Sequence, residues 1–329
     1  MNLLGNITQK LLCIPLNYEV VRSAAKELLQ FYYAQTNFEE THINNEHIET
    51  EKGLAVSPYS AAFCVVDFLR TRNFILAIKM AVEDGLQKDP EKPVIICYAG
   101  TGPFASLVVP LTTIFNSNQI QFLLIEVNEI SISYLKKLIT NIAIDAYIKD
   151  VIKADATEYD LPCPIDILLS ETMKPGLDKE PQVSIVANLV KQCIVLPILI
   201  PENIEVSLAY SKMDHERGLI NEKITSLLNF NDNVARKLPL GNEMIFSKGI
   251  DIELAEPPQG FGKLVLQTDI QLYKNIELKF NESSLTINHT IMKTNELVYP
   301  STFNVKYVID KKPGFVFEPL NKTIIKYDS

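Results

Sequence analysis

Residues 171 and 180 are both glutamate, and they bracket the segment Ser170-Glu171-Thr172-Met173-Lys174-Pro175-Gly176-Leu177-Asp178-Lys179-Glu180, which follows the apolar run Ile165-Asp166-Ile167-Leu168-Leu169. The Pro175-Gly176 pair predicts a loop at the end of a strand. Two carboxylates converging from such a loop could each accept N–H bonds from one planar guanidinium, whose fork of donors favours bidentate pairing with carboxylates. They would neutralise and orient the cation. Taken by itself, Glu180 between Lys179 and Pro181 reads equally as a solvated loop residue.

A second constellation lies upstream. Val94-Ile95-Ile96-Cys97-Tyr98-Ala99-Gly100-Thr101-Gly102-Pro103-Phe104 passes from an apolar strand into a turn of small residues. Gly100 and Gly102, just past Tyr98, would let a ligand approach the backbone at the carboxyl edge of a sheet, where open α/β folds bind ligands. The next strand, Phe122-Leu123-Leu124-Ile125, ends in Glu126, a carboxylate placed to accept both hydrogen bonds of a ribose diol. The third unit ends in Ala154-Asp155-Ala156, which puts an acidic acceptor beside an adenine amino group. Ala105 stands where a pyrophosphate-binding turn would have its third glycine, so adenosine without a diphosphate fits better than a hydride-transfer cofactor.

These residues need a sheet to hold them. Strand and helix patterns alternate: strands at 94–98, 121–126, 147–153, 165–170 and 194–200, and helices at 104–115, 130–142 and 183–192. That alternation predicts an α/β fold with a Rossmann-like, mostly parallel sheet. Ahead of it, Tyr18, Val21, Ala24, Ala25, Leu28, Leu29, Tyr32 and Tyr33 form a helical stripe over about residues 17–37. A loop follows to Gly53, and a second helix is predicted over 61–85. After Pro201 the pattern changes to strands at 204–210, 263–273, 276–280, 285–290 and 303–309. The chain therefore divides into a helical N-terminal segment (1–56), a Rossmann-like domain (57–200) and a β-rich, barrel-like domain (201–329).

Composition narrows the function classes. The net charge of −9 over 329 residues disfavours a nucleic-acid backbone, which is bound by Lys and Arg, and suits a cationic substrate. The longest apolar run, Ile194 to Ile200, is far too short to span a bilayer, and Met1-Asn2-Leu3-Leu4 opens without a basic region and apolar core, so no secretory leader is expected. A cytoplasmic protein is expected. The five cysteines, at 13, 64, 97, 163 and 193, form no CxxC pair, and no Cys or Asp joins His42 and His47 in a zinc-ligand spacing.

Together these motifs resemble the protein arginine methyltransferases, whose double-glutamate loop begins Ser-Glu and places its second Glu nine residues after the first. Asp67-Phe68-Leu69-Arg70-Thr71-Arg72-Asn73-Phe74 is similar to the family's Asp-x-x-Arg-Thr-x-x-aromatic helix. The resemblance implies that Glu171 and Glu180 are catalytic and that S-adenosyl-L-methionine is the cofactor. Arg70 would then bind the cofactor's carboxylate, Glu126 its ribose, and Asp155 with Ala156 its adenine, beside Tyr98, Gly100 and Gly102. The implied reaction is N-methylation of an arginine guanidinium, in free arginine, a small guanidine, or a peptide or protein. Methylation of an unrelated small molecule and a non-catalytic, methyltransferase-like binding module are the alternatives.

The likeness is greatest to the symmetric-dimethylating branch, which shares the Gly-x-Gly-Pro turn and lacks an acidic residue at the end of the first strand, here Ile96. The chain has no tryptophan, so the family's Thr-His-Trp loop is echoed only by Asn288-His289-Thr290. Register puts Cys64, next to Phe63, where product type is set in relatives. Tyr59, Phe63, Cys64, Met173 and His289 are thus the expected substrate-pocket residues. A homodimer is left open, with residues 217–250 as a shortened dimerisation arm.

Overall fold

The computed structural model describes residues 3–238, 244–245 and 249–320. Two helices open the chain, α1 (Leu3–Leu11) and α2 (Tyr18–Thr36). Asn17 caps α2 by accepting the Val20 N–H, and Asn37, in the left-handed conformation, ends it. The stripe Val21, Ala24, Ala25, Leu28 and Tyr32 is wholly buried, and α2 packs across the elements that follow. The segment read as a loop contains a small hairpin, β1 (Ile48–Thr50) and β2 (Gly53–Ala55). The helical pattern over 61–85 is divided into α3 (Pro58–Phe63) and α4 (Phe68–Lys88), because Asp67 leaves helical geometry to cap α4 through the Arg70 N–H.

The central sheet is formed by β3 (Val94–Ala99), β4 (Ile120–Glu126), β5 (Ile148–Lys153), β6 (Ile167–Ser170) and β7 (Ile198–Ile200), all parallel, in the order β5-β4-β3-β6-β7. Helix α5 (Glu129–Asn141) follows β4, and α6 (Gln182–Lys191) follows β6. Strands β3, β4 and β6 are almost continuously buried, as expected of parallel strands covered on both faces. Their carboxyl ends place Gly100, Glu126 and Glu171 along one edge.

Two expectations within this unit fail. The helix expected over 104–115 is instead a series of turns and a 3₁₀ segment, Val109–Thr113. Ala105 takes a positive φ of 43°, which no α-helix contains, and Pro110 has no N–H to continue one. The strand expected over 194–200 begins only at Ile198, and Ile194 is 99% exposed. Strand β6 offers β7 partners only from Ile167 onward, so the earlier half of that apolar run has no ladder to join.

Beyond Ile200 every pairing among the described residues is antiparallel. Strand β8 (Asn203–Asp214) pairs with β9 (Gly218–Phe230); helix α7 (Asp232–Lys237) leads toward β10 (Met244–Ile245) and β11 (Ile250–Leu254). Strand β12 (Lys263–Tyr273) pairs with β8, β13 (Ile276–Leu278) and β14 (His289–Lys293), while β15 (Ser301–Ile309) pairs with β10, β11 and β16 (Gly314–Pro319). Much of the proposed 217–250 arm is therefore strand β9 and helix α7; residues 239–243 and 246–248 lie outside the described residues. The expected strand 285–290 starts only at His289, because Ser283 to Thr286 close a hydrogen-bonded turn. Among the described residues no helix is long and apolar enough to cross a membrane.

The antiparallel layer is docked on α4. Tyr273 donates to Asp84 at 2.5 Å, and Asn73 donates to the Glu277 carbonyl at 3.0 Å. Asp67 does two jobs, since Oδ1 caps α4 while Oδ2 accepts from Ser283 Oγ, Ser284 N and Ser284 Oγ at 2.7–2.8 Å. Asp67→Ala removes the cap and three cross-layer bonds, and should cost about 2 kcal/mol in urea unfolding. A loss below about 0.5 kcal/mol would show that the docking rests elsewhere.

Candidate functional site

A cavity of about 480 Å³ opens at the carboxyl edge of the parallel sheet, a volume suited to a cofactor-sized ligand. The β1–β2 hairpin and α3 form one wall, the turn after β3 another, and the ends of β4, β5 and β6 the floor. Arg70, Tyr98, Gly100, Gly102, Glu126, Asp155, Ala156, Glu171, Met173, Glu180 and Cys64 all line it. Three pocket residues expected from the sequence do not. Phe63 is half-exposed and stacks on Tyr59, and His289 is paired with Leu266 at the start of β14. In place of the His289 segment, the Ser283–Thr286 turn brings Ser284 and Leu285 to the cavity wall, tied there by Asp67.

The two glycines are demanded by geometry. Gly100 has φ 79°, and a Cβ on it would collide with the Thr172 side chain; Gly102 has φ 60°, and its Cβ would lie 3.0 Å from that of Ala61. Both line the cavity. Glu126 is buried, and its two oxygens accept the Gly102 N–H at 2.7 Å and the Asn128 N–H at 2.9 Å. Burial raises its pKa, opposed by those backbone bonds. Asp155 Oδ1 accepts the Thr157 N–H at 2.9 Å, and Asn188 holds the Ala156 carbonyl at 3.1 Å, fixing the end of the third strand.

The loop between Glu171 and Glu180 is held from three sides. Gln182, at the start of α6 and itself buried, accepts at Oε1 from Ser170 Oγ, Thr172 N and Thr172 Oγ1, and donates through Nε2 to the Ser170 carbonyl. From the antiparallel layer, Thr268 accepts the Gly176 N–H at 2.7 Å and Tyr307 donates to the Leu177 carbonyl at 2.8 Å, while Lys179 N–H reaches the Pro313 carbonyl. From the hairpin, Leu54 N–H donates to the Lys179 carbonyl at 2.8 Å. Positive φ angles at Gly176, Leu177 and Lys179 show how sharply the chain is bent to present both carboxylates to the same space.

Each carboxylate meets one cation. The Glu171 side chain is only 4% exposed and forms an ion pair with Arg70, which rises from the first turn of α4. The Glu180 side chain is 9% exposed, with Lys174 Nζ 3.7 Å away. Burial pushes the Glu180 pKa up to about 7, with Lys174 and Arg70 pulling against it. Cys64 lies beside this group and donates from Sγ to the Ser60 carbonyl. Gln182, which braces the loop, and Lys174, which faces Glu180, are not singled out by the sequence pattern. Lys174 sits openly between the glutamates; Gln182 shows only as a polar residue opening an apolar helix.

This combination of a five-stranded parallel sheet, a ligand-sized cavity at its carboxyl edge and an appended antiparallel barrel defines a Rossmann-like methyltransferase fold with a β-barrel domain. More specifically, it is the protein arginine methyltransferase-like fold. Protein arginine methyltransferase 10 of Arabidopsis thaliana aligns over 76% of this chain and 87% of its own at 11% identity, with a TM-score of 0.51. A Trypanosoma brucei PRMT1 enzyme–prozyme complex with AdoHcy aligns over 78% and 96% at 12% identity and a TM-score of 0.48. A PRMT6–SAH structure aligns over 74% and 96% at 11% identity and a TM-score of 0.46. No protein-family model matches the sequence, and no curated protein matches it.

Gln182→Leu removes the four side-chain bonds that join the start of the loop to α6, keeps only the bond from the residue 182 N–H to the Thr172 carbonyl, and leaves buried polar atoms unpaired. Amide hydrogen exchange across residues 171–180 should speed up by about tenfold or more while β3 and β4 stay protected. Unchanged exchange in the loop would show that the barrel and hairpin alone hold it.

Proposed function

We infer that the chain is an S-adenosyl-L-methionine-dependent N-methyltransferase acting on the guanidinium of arginine or of an arginine-containing molecule. The observation that carries this reading is the pair of buried carboxylates, Glu171 and Glu180, presented by one braced loop to a cavity with an adenosine-type sheet edge. The arginine methyltransferase-like fold supports it.

The cavity residues fit the cofactor. Gly100 and Gly102 line the cavity in a tight turn that admits no side chain; Glu126 would take the ribose, Asp155 and Ala156 the adenine, and Arg70 the carboxylate. S-adenosyl-L-methionine supplies an electrophilic methyl carbon on a sulfonium, which departs as a neutral thioether when a nitrogen lone pair attacks. The chain's own contribution is position and charge. Guanidinium is a poor nucleophile because its lone pairs are delocalised. Glu171 and Glu180 draw the positive charge toward the nitrogens they bind, leaving a lone pair on the attacking nitrogen and holding it in line with the methyl carbon. As the N–C bond forms, that nitrogen carries a surplus proton. Glu180, whose pKa is close to neutrality, is suited to take it.

The direct test is mass spectrometry after incubation with methyl-labelled S-adenosyl-L-methionine and, separately, free arginine and an arginine-rich peptide. A labelled methyl on a guanidinium nitrogen is expected, and loss of about a hundredfold or more in turnover for Glu171→Gln. Transfer only to some other nucleophile, or unchanged turnover in that variant, would contradict the reading.

The pH dependence follows from Glu180. Only its ionised form attracts the cation, and protonation below about 7 removes that attraction. The kcat/KM for the guanidine should therefore rise with pH and level off above about 7, since this ratio reports groups of the free enzyme. A profile flat from pH 5 to 9 would remove Glu180 from that role.

A further inference from the structure

The cavity is lined by four carboxylates, Glu126, Asp155, Glu171 and Glu180, and by two permanent cations, Arg70 and Lys174. His47, also in the lining, accepts the Ser57 N–H at Nδ1 and so is held by the backbone. The two cations differ in circumstance. Arg70 is buried on α4 against Glu171, and on the reading above it serves the cofactor. Lys174 belongs to the glutamate loop itself, with its side chain 42% exposed and its ammonium 3.7 Å from Glu180. No part of the proposed reaction uses it.

A guanidinium arriving at Glu180 would enter the space beside the Lys174 ammonium, and two cations on one carboxylate repel each other. The Lys174 backbone is fixed, since its carbonyl accepts the Leu177 N–H at 2.9 Å. Its four-carbon stem is long and partly solvated, so the head group can swing toward the rim. There its charge would stand on the solvent-exposed side of the cavity lining, within reach of the rest of a bound substrate. The hairpin wall lines the same cavity, with Gly53 packed on Pro181 and Leu54 bonded to Lys179. A substrate whose alkyl chain ends in a carboxylate would give the displaced ammonium a partner. A substrate with a neutral amide there would not.

We propose that Lys174 is a specificity-determining residue that reads the substrate's own carboxylate, so that the preferred substrate is a free carboxylate-bearing guanidine such as arginine itself, rather than an arginine within a chain. This rests on the guanidinium reading above and adds a second recognition point to the same site. Recognition of this kind discriminates strongly, because a site built for a charged group leaves its partner unpaired when that group is missing.

Isothermal titration into protein saturated with S-adenosylhomocysteine tests it, with L-arginine, L-argininamide and Nα-acetyl-L-argininamide as probes. Wild-type protein should bind arginine about tenfold or more tighter than argininamide. Lys174→Gln should bring the two within about twofold, whereas Lys174→Arg, which keeps the charge, should preserve the preference. A role confined to neutralising Glu180 would instead shift both ligands alike. Equal affinities in the wild type, parallel changes in Lys174→Gln, or acetylargininamide binding as tightly as arginine would overturn the proposal. Its failure is separable from failure of the underlying reading: if no guanidine binds, or if Glu171→Gln leaves binding unchanged, the guanidinium site itself is wrong.

Discussion

Two carboxylates within one short loop, both almost out of water, set the central constraint on this molecule. Burying an unpaired carboxylate is costly, and burying two that face the same space adds repulsion. The structure answers with one cation for each, Arg70 for Glu171 and Lys174 for Glu180. Even so, Glu180 remains above the ordinary carboxylate range. The site is thus poised: its charges are satisfied by side chains that incoming ligands could replace.

Holding that arrangement accounts for features far from the loop. Helix α6 begins with Gln182 so that the first turn can grip Ser170 and Thr172; the antiparallel layer contributes Thr268, Tyr307 and the Pro313 carbonyl. The layer is in turn fixed to the sheet unit through α4, by Asp67, Asn73 and Asp84. Asp67 and Arg70 stand one helical turn apart. One connects α4 to the barrel and the other connects it to Glu171, so the position of a single helix start links the barrel to the charged centre of the cavity.

Much of this was legible in the sequence because it is local. The strand-end positions of Gly100, Glu126 and Glu171 follow from apolar runs that stop abruptly, and Asp67 and Arg70 share a recognisable helix start. What escaped was non-local or conformational. The turn that brings Ser284 and Leu285 to the cavity is set by bonds to Asp67 more than two hundred residues away, while His289, the nearest echo of a familiar motif, sits in a strand pairing. The helix expected over 104–115 had the right periodicity, but a positive φ at Ala105 prevents it. Ile194, Val195 and Leu196 have the composition of a buried strand and no neighbour to pair with. Periodicity reports which face is apolar; it does not report whether a partner is within reach.

On the proposed function, Glu171 and Glu180 form one guanidinium site whose resident cations give way on ligand binding. A crystal structure of the protein with S-adenosylhomocysteine and arginine tests it most directly. Guanidinium nitrogens are expected within about 3 Å of oxygens on both glutamates, with Arg70 turned from Glu171 to the homocysteine carboxylate. An intact Arg70–Glu171 pair, with the arginine bound elsewhere, would contradict it.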